Sequence, residues 1–325
     1  MANFMDMMKK SQMGRTENGS LGYVTEGHKL VDLNFAIPSF RKEIDIRLFE
    51  EALRENKNLA LKWLLYLRDI RRGVGERKSF REFVYALIYI DFKLARKFIA
   101  TVPIEEYGRW DDVVAIMWYA IKECPAEAVV IAKDLIEKIK GQLEADKANM
   151  KSGKPVSLLA KWLPSENTSS KQTREIASFT RMSLGMNPRT YRKTLSALRK
   201  YIDVVECKMS ANQWDKIDYE KVPSLAGLNY RDAFMKHDSD RYNAYVQSVN
   251  SGDKKINANA MFLHDIVRKY NVSGIFQKDD TLEAMWKAQN KVEGFSDTLV
   301  VRDGSGSMLD HIPNSGVTAL DVADA

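Results

Sequence analysis

The sequence predicts an all-α protein, and three observations carry that expectation. Apolar residues recur at helical spacing: Ile46, Phe49 and Leu53 share one face, and Val129, Val130, Ala132, Leu135, Ile136, Ile139 and Leu143 share another. No alternating strand pattern occurs before residue 296. Helix punctuation is clear as well, with Gly73-Val74-Gly75 closing one helical pattern and Asn187-Pro188 opening another. With 325 residues, 45% of them hydrophobic and 29% charged, there is room for one large or two smaller globular domains.

In chain order, residues 1–17 are polar, methionine-rich and expected to be flexible. A helix is expected over residues 61–72, ended by the glycine-rich basic turn RRGVGERK. That turn lacks the preceding strand and the Gly-Lys-Ser/Thr ending of a P-loop, so it reads as a helix C-cap, with Arg71, Arg72, Arg77 or Lys78 as alternative backbone contacts to RNA. Residues 80–91 and 110–123 are apolar almost all round, as in helices covered on several sides. With the long amphipathic helix after Pro125 they suggest stacked helix pairs in a solenoid, although no repeat of 30 to 45 residues is legible. Tyr107-Gly108-Arg109-Trp110-Asp111-Asp112 reads as a turn with an anchoring tryptophan.

The most informative stretch is 157–202. Asn187 is placed to cap a helix whose first residue is Pro188 and which runs to about Ile202. Tyr191, Leu195, Leu198 and Ile202 fall on one apolar arc, with Arg189, Arg192, Lys193, Arg199 and Lys200 roughly opposite. Residues 151–209 hold twelve lysines and arginines against four carboxylates, an excess of eight, whereas the whole chain carries +6. The rest of the chain is therefore slightly acidic and the positive field is local, which points to a polyanion, most plausibly RNA. The candidate contacts are Lys171, Arg174, Arg181, Arg189, Arg192, Lys193, Arg199 and Lys200; a merely solvated basic face is the competing reading.

Further on, Ser210 with Gln213 has the spacing of a capping box for a short helix carrying Trp214, and Asp280 with Glu283 caps the last helix of the series. Three further helical segments are expected at 230–236, 239–249 and 259–270. Several function classes lose support. The longest apolar runs are far shorter than the ~20 residues that span a bilayer. The N-terminal segment has no signal-like apolar stretch. Cys124 and Cys207 stand alone, and His28, His237, His264 and His311 have no metal-ligand spacing. No nucleophile comes with a base, so a non-enzymatic, cytoplasmic protein is expected.

Several blocks carry a family resemblance: LLAKWLPSENTSS, LGMNPRTYRKTLSALRKYIDVVE, DYEKVPSLA and RDAFMKHD. They resemble the TROVE-like proteins related to the Ro autoantigen, in which a helical RNA-binding module precedes a von Willebrand A domain, and in particular a bacterial and phage branch of that group. The resemblance covers nearly the whole chain from residue 18. It implies HEAT-like helix pairs closing into a ring over residues 18–290, and a ribonucleoprotein that binds single-stranded ends or misfolded small RNAs without catalysis. It also gives a meaning to residues 291–325. There the β-branched run Thr298-Leu299-Val300-Val301 precedes Arg302-Asp303-Gly304-Ser305-Gly306-Ser307, similar to the first loop of a metal-ion-dependent adhesion site. Asp303, Ser305 and Ser307 would offer one carboxylate and two hydroxyls to Mg²⁺, an oxygen-seeking cation. Two departures weaken that site: Arg302 sits beside the first ligand, and the sequence stops at Ala325, before the family's later loops. Weak or absent Mg²⁺ binding is expected. The alternative function is a protein-interaction scaffold whose partner is reached through the metal loop.

Overall fold

The computed structural model describes residues 13–15, 19, 21–23, 25–102, 104–123, 128–258, 261–272, 275–276, 278–289, 299, 301–312 and 316–324. Most of residues 1–17, Cys124, and residues 291–298 and 300 of the expected domain change lie outside them. The architecture is helical, with strands only in two short hairpins among the described residues. The chain divides into two compact units, Met1–Leu195 and Ser196–Ala325, the division falling inside helix Pro188–Ile202.

In the first unit, helices adjacent in sequence pack in pairs. Lys78–Ile90 lies against Phe92–Thr101, Trp110–Lys122 against Val129–Lys151, and the first pair contacts the second through Lys78–Ile90 with Trp110–Lys122. The local reason for these helices is capping: Asp45 accepts from the Leu48 N–H, Asn56 from Leu59 and Asp91 from Leu94, at 2.8, 3.1 and 3.0 Å. Each carboxylate or amide satisfies a donor that the first helical turn leaves open. Asn56 also explains why the helix expected from residue 61 starts at Lys57. The tertiary reason is aromatic packing. Phe83 is fully buried with Phe40, Phe49 and Trp63 around it, ring centroids 5.0, 4.9 and 5.4 Å away. Burying one such ring contributes about 1.5–3 kcal/mol. Lys78–Ile90 is apolar on most sides because Phe80, Phe83, Val84, Ala86, Leu87 and Ile88 are all buried.

The second unit has two clusters. Tyr219, Phe234, Tyr242 and Tyr245 pack with Val205, Ile217, Val222 and Val246; Leu228, Met261, Ile266, Leu282 and Met285 form the other with Ala258. Tyr219 donates to Asp238 at 2.7 Å, and burial followed by that carboxylate pushes its phenol well above the usual tyrosine range. Burial likewise pushes Tyr242 up to about 12.

Three sequence expectations require correction. The absence of strands before residue 296 does not hold: Met13–Arg15 pairs with Leu21–Tyr23, and Asn271–Val272 with Ile275–Phe276. Strands of two or three residues are too short to show a period of two. Ser210 and Gln213 form no capping box. Ser210 Oγ donates to Glu206 O within its own helix, Val205–Ser210, and Asn212 ends that helix with φ of 54°. Asparagine tolerates the left-handed conformation of a helix stop; the short helix carrying Trp214 is present as one 3-10 turn, Trp214–Lys216, but Ser210 and Gln213 do not cap it. At the last helix of the series the cap is Asp279, which accepts from Thr281 and Leu282, one residue before the Asp280 of the sequence reading.

Candidate functional site

The basic stretch is built from its turns outward. Ser170 caps helix Lys171–Ser183 by accepting from Thr173 N–H at 3.2 Å. That helix ends at Gly185, whose φ of +66° lets the chain reverse before the next helix begins. Asn187 then accepts from Thr190 N–H at 2.8 Å and opens helix Pro188–Ile202, the cap and first-turn proline that the sequence indicates. Tyr191, Leu195 and Leu198 are buried, and the Tyr191 hydroxyl donates to Pro164 O at 2.8 Å. The apolar arc is therefore a packed face that also pins the loop before Lys171.

The eight predicted cations separate into two kinds. Arg181 is mostly buried, donating to Glu166 at 2.7 Å and to Met186 O at 2.9 Å, so it closes the turn between the two helices. Arg174 folds back onto Thr168 O and Ser169 O at 2.6 and 2.9 Å. Arg199 is half-buried and already engaged. Lys171, Arg189, Arg192, Lys193 and Lys200 are exposed and form no hydrogen bond or ion pair among the described residues. Three of the four local carboxylates have other partners: Glu166 is held by Arg181, Asp203 by Lys208 at 2.8 Å and Glu206 by Tyr230 at 3.2 Å. Glu175 is exposed and forms no ion pair with these cations among the described residues. The exposed side of Pro188–Ile202 is a row of charge with little local neutralisation.

A second arginine cluster escaped the sequence reading. The blocks RDIRRGVGER and YGRWDD, far apart in the chain, meet in the first unit. Asp112 accepts from Arg68 Nε at 2.8 Å, from Arg81 Nε at 2.7 Å and from Arg109 N–H at 2.9 Å, while Arg81 also reaches Asp111 at 2.8 Å. Arg68 and Asp112 are both buried. Trp110 is buried too, in keeping with an anchoring role. The glycine-rich turn folds over the end of Lys57–Arg68, Val74 N–H reaching Tyr66 O at 3.0 Å and Glu76 N–H reaching Leu67 O at 2.8 Å. A Cβ on Gly73 would sit 1.9 Å from Tyr66 O, so this turn admits only glycine there. The sequence signal was the concentration of arginine and aspartate in two blocks; their pairing was not available from spacing.

At the C-terminal loop, Ser305 N–H donates to Asp303 at 2.8 Å and the Ser305 and Ser307 hydroxyls lie 3.1 Å apart. The Ser305 backbone and side-chain hydrogen bonds hold the Asp303 carboxyl below the usual carboxylate range. The three oxygen donors suit Mg²⁺ in kind and supply part of an octahedral set. Among the described residues no group of three His, Cys, Asp or Glu side chains is arranged to hold a metal. Arg302 forms an ion pair with Asp324, so its charge is neutralised rather than directed at Asp303. Leu299 and Val301 are exposed and belong to no strand. Helix Ala319–Ala323 packs on Leu263–Tyr270, with Arg268 3.5 Å from Asp321.

Comparison with known proteins gives two similarities. Residues 186–300 match the family described as a domain of unknown function, DUF2828, a span that begins just before helix Pro188–Ile202. The chain is also 32% identical over 324 residues to a protein of Acanthamoeba polyphaga mimivirus described as uncharacterized protein L728, covering 90% of this chain and 56% of that relative. The chain thus spans about half the length of the relative. No solved structure matches. Among the described residues no helix is long and apolar enough to cross a membrane.

Proposed function

We propose that this chain is a non-catalytic RNA-binding protein of the Ro-related type, with single-stranded RNA lying along the exposed side of helix Pro188–Ile202. The observation that carries this reading is the row Arg189, Arg192, Lys193 and Lys200, exposed and without partners among the described residues while three of the four nearby carboxylates have other partners. Unneutralised cations on a rigid helix attract a phosphate backbone by counterion release, a sequence-independent interaction. The HEAT-like ring and the von Willebrand A opening belong to the same proposal, which rests on the resembling sequence blocks. RNA retained through purification and released by nuclease and salt supports the reading. Protein that is free of nucleic acid at low salt, and that does not bind a labelled single strand, refutes it.

A second reading has one observation in its favour, the gathering of Asp303, Ser305 and Ser307 side-chain oxygens on one turn. On that reading the chain is a protein-interaction scaffold whose acidic partner completes the coordination of Mg²⁺. A partner whose capture survives nuclease and is abolished by EDTA favours it over RNA binding.

A further inference from the structure

We infer that Ser196 is the residue by which helix Pro188–Ile202 distinguishes RNA from DNA, its hydroxyl hydrogen-bonding a ribose 2′-OH; the inference rests on the RNA-binding reading and names the sugar that its site selects. Ser196 is exposed at the centre of the basic face. Arg192 and Lys193 lie one turn before it and Lys200 one turn after, beside the already engaged Arg199. At 100° per residue all four fall within about 60° of the Ser196 direction, about 4.5–6 Å along the axis on either side. Two exposed positions separate these cations, Ser196 and Ala197, and of the two only Ser196 carries a polar side chain.

The hydroxyl is also uncommitted. Inside a helix, a serine or threonine hydroxyl can turn back onto the carbonyl four residues earlier. Thr180 does so to Ile176 O at 2.7 Å, Ser210 to Glu206 O at 2.8 Å and Ser248 to Ala244 O at 2.9 Å. Ser196 makes no such bond to Arg192 O, nor one to any other group among the described residues. Phosphates held at Lys193 and Lys200 would sit about 10 Å apart along the helix, so the sugars linking them cross the turn that carries Ser196. The cations attract the phosphates of RNA and DNA alike and prefer neither. A 2′-OH is donor and acceptor at once, as a serine hydroxyl is, and it is the group that deoxyribose lacks. Ser196 thus adds selectivity to a surface whose charge alone supplies none.

Fluorescence anisotropy of the full chain with oligouridine and with oligo-2′-deoxyuridine of equal length, across a salt series, tests the assignment. The expected result is RNA bound about five-fold more tightly, the worth of one neutral hydrogen bond. Ser196→Ala, at an exposed helical position that alanine suits, is expected to weaken RNA binding about five-fold, to the level of DNA, with DNA affinity and both salt slopes unchanged. Ser196→Thr keeps the hydroxyl and is expected to keep the preference. Equal affinity of the wild type for both strands, or a preference that survives in Ser196→Ala, overturns the inference and leaves the RNA-binding surface standing. An equal loss for both strands in Ser196→Ala also overturns it, by marking the hydroxyl as a phosphate contact. Failure of the wild type to bind either strand refutes the RNA-binding reading itself, and the inference with it.

Discussion

The arginines around Asp112 and the cations of helix Pro188–Ile202 are chemically alike and do opposite work. Around Asp112, carboxylates from a distant part of the chain come within 3 Å of two guanidinium groups, and desolvation makes the pairing structural. Along Pro188–Ile202 no carboxylate of the described residues pairs with Arg189, Arg192, Lys193 or Lys200, and their charge stays available to solution. Positive residues alone therefore say nothing about binding. What separates a brace from a binding surface is where the nearby acids are spent, and Glu166 shows both outcomes within one stretch by removing Arg181 from the surface while Arg192 has no partner among the described residues.

The contrast can be tested from the brace outward. Asp112→Asn leaves buried Arg68 without its counter-charge and is expected to cost about 3–5 kcal/mol in denaturant unfolding, as for other broken buried pairs. A cost below about 1 kcal/mol would mean that water reaches Arg68 freely. Leu198→Ala, at a fully buried position on the apolar arc, is expected to cost about 2–5 kcal/mol, and Leu198→Asp to abolish cooperative unfolding by burying an unpaired charge.

Smaller effects sharpen the same comparison. Tyr191→Phe removes the hydroxyl that bonds Pro164 O and should cost about 1 kcal/mol. Changing Arg189, Arg192, Lys193 and Lys200 together to Gln should leave stability within roughly 0.5 kcal/mol per site while weakening single-stranded RNA binding. With a slope of about −0.7 for each phosphate neutralised on a single strand, the logarithmic salt dependence should flatten by up to roughly 3 units. An unchanged slope would identify this row as a solvated face and leave the RNA proposal without its site. The smallest expected effect is that of metal: calorimetric titration of Mg²⁺ should show binding no tighter than about millimolar, because Asp303 brings one carboxylate to an ion that sheds water reluctantly. Micromolar binding lost in Asp303→Ala would show that further ligands join this loop. EDTA should leave RNA binding unchanged.

The sequence by itself determined what depends on neighbours within a turn or two. It determined the Asn187 cap, Pro188 at the helix start, the burial of Tyr191, Leu195 and Leu198, and the presence of a glycine-rich turn at Gly73, although the helix before it ends at Arg68 rather than at residue 72; capping, φ restriction and helical periodicity are local. Where a local pattern had two meanings it misled: Ser210 and Gln213 fit a capping box, but Ser210 ends one helix, Asn212 turns the chain with positive φ, and the short helix carrying Trp214 starts without that cap. The two hairpins were illegible because so few residues carry no period. Tertiary structure alone decided which cations are spent. Arg68 meets Asp112 across 44 residues and Arg181 meets Glu166 across 15, and neither distance has a sequence signature, since chain folding rather than spacing brings those groups together. The candidate basic face was thus legible as a face, but its true membership, Arg192 in and Arg181 out, was set by long-range pairing.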